Sequence, residues 1–275
     1  MDRTGAGATI VFAHANGFPA RSYEQVFAVW RDAGFAVHAI EKIGHDPRFP
    51  VTSNWPRLRD ELIDFIERQA AAPAFLVGHS LGGYLSLLAA ARRPDLARGV
   101  VLLDSPILGG WKARTVQVAK TTGIVGRFSP GHVSKRRREH WPSAAAAHEH
   151  FAAKKAFAAF APGVLANYIE SGVEAEAKGV RLAFRREVET AIYNTLPHDL
   201  QRVLRLHPLR CPLAFVGGSD SAEVRRLGLA ATGRIAHGRV SRIEGTHLFP
   251  LERPAETARA VLGWIDAFGA GRHAA

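Results

Sequence analysis

Cysteine is almost absent from this chain of 275 residues, in which Cys211 is the only one. A single cysteine excludes an intrachain disulfide and a metal cluster built on several thiolates. The HExxH spacing of zinc hydrolases is missing as well. We therefore predict no metal site and look for the chemistry in other residue types.

Long apolar runs are also missing. The N-terminal stretch MDRTGAGATIVFAHANG has one arginine and only a short apolar run before His14. That is too little for a signal peptide or a membrane-spanning helix. We expect a cytoplasmic protein with no membrane span.

Acidic residues are fewer than basic ones, 25 against 36, which gives a net charge of +11. The excess is local, because residues 107–155 hold ten Lys or Arg against Glu139 and Glu149. The densest part is SKRRREHW from Ser134, where aromatic residues are not interleaved as a base-stacking surface requires. We predict no nucleic-acid partner. A solvated face is the simpler interpretation of this tract, and attraction of an anionic substrate or an acidic surface is the functional one.

Short apolar segments alternate with amphipathic segments over most of the chain, whose composition is globular at 47% hydrophobic and 22% charged. This alternation predicts an α/β fold with a mostly parallel sheet and helices on both faces. We count six strands. They begin near Ala8, Phe35, Ala74, Gly99, Pro212 and Gly238.

Between Asp104 and Cys211 the strand rhythm stops for about 105 residues, too many for a loop. The stretch AAAAHEHFAAKKAFAAFA places phenylalanines at helical spacing. We therefore predict a mainly helical cap over residues 107–208, inserted into a core formed by residues 1–106 and 209–275.

The segment FLVGHSLGGYL carries the clearest chemical signal. Its GHSLG matches the G-x-S-x-G nucleophile elbow, a sharp turn between a strand and a helix that exposes a serine. Gly78 and Gly82 would avoid collisions in such a turn. AFLV before the motif favours a strand, and LGGYLSLLAAA after it favours a helix. We predict that Ser80 is a nucleophile.

A nucleophilic serine needs a base, and thirteen histidines are available. His247, in EGTHLFPLERP, follows the last predicted strand, where it would lie at the carboxyl edge of the sheet beside Ser80. His14 and His79 adjoin strand ends as parts of turns, so we expect them to shape the substrate pocket. We predict that His247 is the base.

Two aspartates could orient His247. Asp220, in FVGGSDSAEV, follows a strand and precedes His247 in the chain, although with Glu223 it could instead form a helix capping box. Asp104, which ends VVLLD, is the alternative acid. We predict Asp220, which gives the chain order Ser80, Asp220, His247.

With FAHANGF, VGHSLGG, GGSDS and EGTHLFPLERP in this order, the chain resembles the α/β-hydrolase superfamily, specifically its lid-bearing, esterase-like members, from Ile10 to Phe268. The resemblance implies a Ser-His-Asp triad, a cap inserted after Asp104, and no cofactor. Two departures are visible. The short segment before the first strand leaves no room for the usual opening hairpin, and the oxyanion loop reads His14-Ala15-Asn16-Gly17, with Ala15 where glycine is common.

By this similarity the backbone N-H groups of Leu81 and Asn16 would hold the oxyanion, with Phe18 as an alternative to Asn16. Candidate pocket residues also come from the core turns and the cap. They are His14, Phe18, His79, Trp111 and Trp141.

The function that follows is a serine hydrolase that cleaves a carboxylic ester or thioester through an acyl-enzyme, with a small acyl compound as substrate. The same fold supports carbon-carbon hydrolysis, perhydrolysis and hydroxynitrile cleavage, and a non-catalytic ligand receptor is a further alternative.

Overall fold

The computed structural model describes residues 7–107, 109 and 134–270. Six strands form one sheet, and their order from edge to edge is β2 (Ala36–Ile40), β1 (Thr9–Ala13), β3 (Ala74–His79), β4 (Ala97–Leu103), β8 (Leu213–Gly218) and β9 (Val240–Ile243). All five pairings in this sheet are parallel, which confirms the predicted fold class and strand number.

Both faces of the sheet are covered by helices, as β1 illustrates. All five of its residues are buried, and alternate side chains point to opposite faces. Val11 and Ala13 pack in one cluster with helices α2 (Pro56–Gln69) and α3 (Leu81–Arg92). Ile10 and Phe12 pack in another with α1 (Glu24–Asp32) and α12 (Pro254–Ala270). A continuous apolar strand sequence is what such two-sided burial requires.

The predicted cap region contains a second sheet as well as helices. Strands β5 (His140–Trp141), β6 (Val173–Glu176) and β7 (Gly179–Leu182) pair antiparallel in the order β5-β7-β6. The sequence analysis missed this sheet, because strands of two to four residues carry too short an alternation to be recognised. The described helices of this region are α4 (Ala144–Ala152), α5 (Lys155–Ala158), α6 (Val164–Gly172), α7 (Arg186–Asn194) and α8 (Leu200–Leu206).

The remaining described α-helices are short and flank β8 and β9. They are α9 (Ala222–Leu227), α10 (Ala230–Ile235) and α11 (Phe249–Glu252). No helix within residues 7–107 and 134–270 is both long and apolar enough to cross a membrane.

Candidate active site

Ser80 lies at the junction between β3 and α3, at the carboxyl edge of the sheet. Its backbone has φ 52° and ψ −113°, a conformation that residues other than glycine rarely adopt. The Ser80 N-H donates to the Leu103 carbonyl of the neighbouring strand β4 at 2.9 Å, which helps to hold the strained turn in place. A strained serine between a buried strand and a helix is the local geometry of a nucleophile elbow.

The two glycines of the motif allow the turn because other atoms occupy the space that their side chains would need. A Cβ on Gly78 would lie 2.2 Å from the backbone carbonyl of Gly82. A Cβ on Gly82 would lie 1.9 Å from the carbonyl oxygen of Ala13. The collisions expected from the sequence are therefore present, and the second one fixes α3 against β1.

We expect Gly82→Ala to lower the free energy of unfolding by about 3 kcal/mol, because the added methyl meets backbone atoms that cannot move without shifting β1. Gly263→Ala is a matched control inside another helix, α12, where an added Cβ meets nothing within 4 Å. It should be neutral or stabilising by about 0.5 to 1 kcal/mol. Urea unfolding measures both, and equal stabilities for the two variants would contradict the packing argument.

The acid that contacts His247 is Asp104, and the prediction of Asp220 is wrong in this respect. His247 Nδ1 lies 2.6 Å from Asp104 Oδ2. The Asp104 side chain is fully buried, and its carboxylate also accepts hydrogen bonds from the Gly218 N-H at 2.8 Å and from the Ser221 hydroxyl at 2.6 Å. Three donors hold this carboxylate in place directly after β4. Asp104 itself has φ 46°, a second strained residue at this edge.

Asp220 points elsewhere. It is exposed, and its carboxylate accepts only from the Ser219 hydroxyl, at 2.9 Å, among the described residues. The proposed capping box is not formed by Asp220 either, because Ser221 caps α9 by accepting from the Val224 N-H at 3.1 Å. Ser221 thus joins the helix start to Asp104.

Several acidic groups surround the imidazole of His247. Burial alone would lower the pKa of His247, but the hydrogen bond that its Nδ1 donates to Asp104 and the charges of Glu223, Asp104 and Glu252 together raise this pKa above its ordinary value. Glu223 Oε2 lies 3.7 Å from His247 Nδ1. Sequence reasoning considered Glu223 only as a cap residue and missed its place beside the imidazole.

His247 is connected to the nucleophile elbow through His79. His79 Nε2 lies 2.8 Å from the His247 carbonyl oxygen, and the two rings are 5.0 Å apart. Since a carbonyl only accepts, His79 carries its proton on Nε2, and its Nδ1 accepts from the Tyr23 hydroxyl at 2.7 Å. Burial holds the pKa of His79 well below its ordinary value, and the nearby His247 lowers it further. His79 directly precedes Ser80. As a neutral donor to the His247 carbonyl, it therefore holds the His247 loop next to the nucleophile elbow.

The Ser80 hydroxyl makes no hydrogen bond to His247 within the described parts of the chain. Catalytic hydrogen bonds are often long or poorly aligned before substrate binds. The link through His79 places the His247 backbone beside the elbow.

His14 and His79 were predicted to shape the pocket, but both are fully buried and bonded on both ring nitrogens. His14 Nδ1 donates to the Ala15 carbonyl at 2.8 Å, and its Nε2 accepts from the Ile43 N-H at 3.0 Å. Burial lowers the pKa of His14 to about 4, so the ring is neutral at pH 7. These two histidines hold loops in place beneath the site and do not face a ligand.

Two backbone N-H groups near Ser80 are without an acceptor among the described residues, those of Leu81 and Asn16. The alternative donor, the Phe18 N-H, already donates to the Ala15 carbonyl at 3.1 Å. The loop after β1 is held against α3 by a bond from the Gly82 N-H to the His14 carbonyl at 3.2 Å. Of the two alternatives, Asn16 is therefore the residue whose N-H remains available.

Of the other predicted pocket residues, Trp141, Trp111 and Phe18, only Phe18 is seen to line a cavity within the described part of the chain. Trp141 is buried among Phe151, Tyr168 and other apolar residues of the cap region, so it packs that region's own core. Trp111 lies outside the described residues. Phe18 does line a cavity of about 740 Å³ with Asn16 and residues from the cap region.

The basic tract is not wholly a solvated face. Lys135, Arg136 and Arg138 are exposed, whereas the Arg137 side chain is only 15% exposed. Arg137 Nη1 lies 2.8 and 2.9 Å from the two carboxylate oxygens of Glu189, on α7. No local pattern could have paired residues this far apart in the chain.

Asp104, Glu223 and His247 each offer one ligand atom within 4.8 Å of the others, a spacing that a metal ion could use. The Asp104 carboxylate, however, already accepts from a backbone N-H, a hydroxyl and the imidazole. Such a donor set suits an acid that orients a histidine.

Comparison with known proteins identifies the family of the chain. The profile of the alpha/beta hydrolase family matches residues 10–260. The chain belongs to the alpha/beta hydrolase family. The chain is 32% identical to mouse monoglyceride lipase over 148 residues, which are 48% of this chain and 49% of the lipase. It is also 33% identical to 2-(acetamidomethylene)succinate hydrolase of Mesorhizobium japonicum over 104 residues, 36% of each chain.

A solved structure, that of E-2-(acetamidomethylene)succinate hydrolase, matches this chain with a TM-score of 0.76 at 24% identity, and the match covers 95% of this chain and 92% of that one. At that identity the likeness concerns the fold. The curated relatives named above are matched over half of their length or less.

Proposed function

We propose that this protein is a serine hydrolase that cleaves a carboxylic ester or thioester through an acyl-enzyme. The observation that carries the proposal is the His247 to Asp104 hydrogen bond of 2.6 Å at the same sheet edge as the strained elbow of Ser80. A carboxylate, an imidazole and an elbow serine in this relation are the parts that acyl transfer needs.

In the proposed mechanism, the Ser80 oxygen attacks the substrate carbonyl while His247 Nε2 takes the hydroxyl proton. Asp104 accepts from Nδ1, which fixes the tautomer that leaves Nε2 free and stabilises the imidazolium that forms. The imidazolium then gives its proton to the departing alcohol or thiol, and Ser80 remains acylated. Water, deprotonated by His247, attacks the acyl carbonyl, the bond to the Ser80 oxygen breaks to release the carboxylic acid, and the imidazolium returns its proton to Ser80.

The developing oxyanion would lie between the N-H groups of Leu81 and Asn16. Leu81 is the first residue of α3, so the helix N-terminus adds its partial positive charge at this point. Both groups lack an acceptor among the described residues, which leaves them available to the substrate oxygen.

We further propose that residues 107–208 cover this site as a cap. Asn16 Nδ2 donates to the Glu189 carbonyl of α7 at 3.1 Å, which joins the oxyanion loop directly to the inserted region. The cavity shared by Asn16, Phe18 and this region offers space for a small acyl compound. The cytoplasmic location remains a prediction from the sequence.

The named relatives support hydrolysis, but they act on different substrates, so the bond that is cleaved has to be inferred from the chemistry of the site. Monoglyceride lipase acts, by its name, on an ester of glycerol, and the other relative is a succinate-derivative hydrolase. Ester hydrolysis is the simplest reaction of the proposed triad, and a thioester offers the same carbonyl to Ser80.

Rapid mixing of the purified protein with a 4-nitrophenyl ester tests the proposal. An acyl-enzyme predicts a burst of nitrophenolate close to one equivalent per chain, followed by slower turnover, where deacylation limits the rate. A thioester with the same acyl group should show the same kcat, because both substrates form the same acyl-enzyme and its deacylation limits the rate. A folded protein that turns over neither compound would contradict the assignment.

We expect kcat/KM for a neutral ester to fall as the pH falls through the raised pKa of His247, because only the neutral imidazole can accept the Ser80 proton. Glu223→Gln removes a negative charge 3.7 Å from Nδ1 and should move this acid limb to lower pH. Glu244→Gln, a change at an exposed carboxylate, is the control. An acid limb that stays in place in Glu223→Gln would argue against this electrostatic influence.

A further inference from the structure

We propose that the cavity between the oxyanion loop and the cap region binds a negatively charged group of the substrate. This inference rests on the proposed function and adds a substrate class to it. The cavity has a volume of about 740 Å³ and is lined from the core side by Asn16 and Phe18. We call it the cationic cavity because its described lining holds the side chains of Arg136, Arg137, Arg138 and Lys154 against one carboxylate, that of Glu189.

The charge of Arg137 is already balanced. Its guanidinium makes two contacts with the Glu189 carboxylate and a hydrogen bond to the Tyr168 hydroxyl, and it lies over the Phe151 ring at 5.4 Å. Glu189 is itself 4% exposed and packs against Gly17, where an added Cβ would lie 2.2 Å from its carboxylate. This ion pair therefore forms a fixed part of the cavity wall, and we do not expect Arg137 to be the main partner of an incoming anion.

The other three cations have no acidic partner among the described residues. Arg138 donates to the His140 carbonyl and lies over Trp141, while Lys154 lies 5.0 Å from the centre of the Phe151 ring. Partial burial lowers the pKa of Lys154, and the charge of Arg137 lowers it further. An incoming anion would relieve this repulsion, since a cation that is partly removed from water gains most from a counter-ion.

The position of the cavity connects this charge to the proposed chemistry. Asn16 contributes both to the cavity wall and, through its N-H, to the proposed oxyanion hole. Phe18, Phe151 and Phe157 supply apolar walls. A substrate with an apolar chain between its ester carbonyl and a terminal carboxylate would fit these surroundings, with the carbonyl at Ser80 and the carboxylate near Arg136 and Lys154.

The test compares 4-nitrophenyl monoesters of adipate and suberate with the same acyl chains ending in a neutral carboxamide. The two chain lengths allow for different distances from Ser80. For the wild-type protein we expect kcat/KM to favour the better-fitting carboxylate over its carboxamide by about tenfold or more, the size of a hydrogen bond to a charged group. This preference should shrink as salt is added.

The double variant Arg136→Ala/Lys154→Ala should lose most of that preference, and Lys154→Arg, which keeps the charge, should retain it. Lys155→Ala removes an exposed neighbouring lysine that does not line the cavity and should leave the ratio as in the wild type. Unfolding curves for each variant identify any that fail to fold.

The possible results separate this inference from the function on which it rests. Turnover of the carboxamide esters with no preference for the carboxylates would overturn the cationic cavity and leave the serine hydrolase standing. A preference that survives in the double variant would overturn it as well, because the charge would then act from elsewhere. Absence of turnover with every ester would overturn both.

Discussion

Ser80→Ala should lower the turnover of a 4-nitrophenyl ester by about 10⁶-fold while the protein remains folded. The variant removes only the hydroxyl oxygen that would attack the carbonyl. The Ser80 N-H bond to Leu103 and the turn between β3 and α3 do not depend on that oxygen. Steady-state kinetics, with urea unfolding as the check on folding, measures the effect.

Ser171→Ala is the matched control, since among the described residues the Ser171 hydroxyl donates only to the Asn167 carbonyl of its own helix. We expect its turnover to equal that of the wild type. A folded Ser80→Ala variant that keeps more than a small part of its activity would assign the reaction to another nucleophile.

Asp104→Asn should reduce kcat by about 10⁴-fold, because an amide can present an N-H to the imidazole and favour the wrong tautomer. Asp104 is also the acceptor for Gly218 and Ser221, so its stability has to be measured in parallel. The pH dependence separates the two effects, since loss of the carboxylate should also lower the pKa of His247.

Asp220→Asn provides the comparison that decides between the two acids. Asp220 is exposed and has no contact with His247, so we expect activity close to that of the wild type. A large loss in Asp220→Asn together with a small one in Asp104→Asn would restore the assignment made from the sequence.

Ser80 could be found from the sequence because its signal is local. The strand, the two glycines and the helix all lie within a few residues of it, and the steric reason for each glycine can be stated without coordinates. The parallel sheet followed from the same kind of evidence, since each buried strand is a short apolar run. His247 was predicted from its position after the last strand, and the structure places it beside His79.

The acid could not be chosen from the sequence, because Asp104 and Asp220 both follow strands of the same sheet. The difference lies in backbone geometry at each strand end. Asp104 has a positive φ and is buried among its donors, whereas Asp220 lies two residues beyond β8 and faces outward. The presence of Ser221 beside Asp220 gave no indication that its hydroxyl bonds Asp104, 117 positions away.

The structure of the cap region was more difficult to predict from the sequence than the choice of the acid. Its strands are too short to show alternation, and the pairing of Arg137 with Glu189 depends on how α7 lies over Gly17. A run of basic residues is most often solvated, and only the structure separates buried Arg137 from its exposed neighbours.

The most direct test of the proposed triad is to treat the protein with a fluorophosphonate probe and map the modified residue by peptide mass spectrometry. The proposal predicts one label per chain, located on Ser80, formed quickly in the wild type and slowly in Asp104→Asn. A label on a different residue, or labelling that persists in Ser80→Ala, would contradict the central claim.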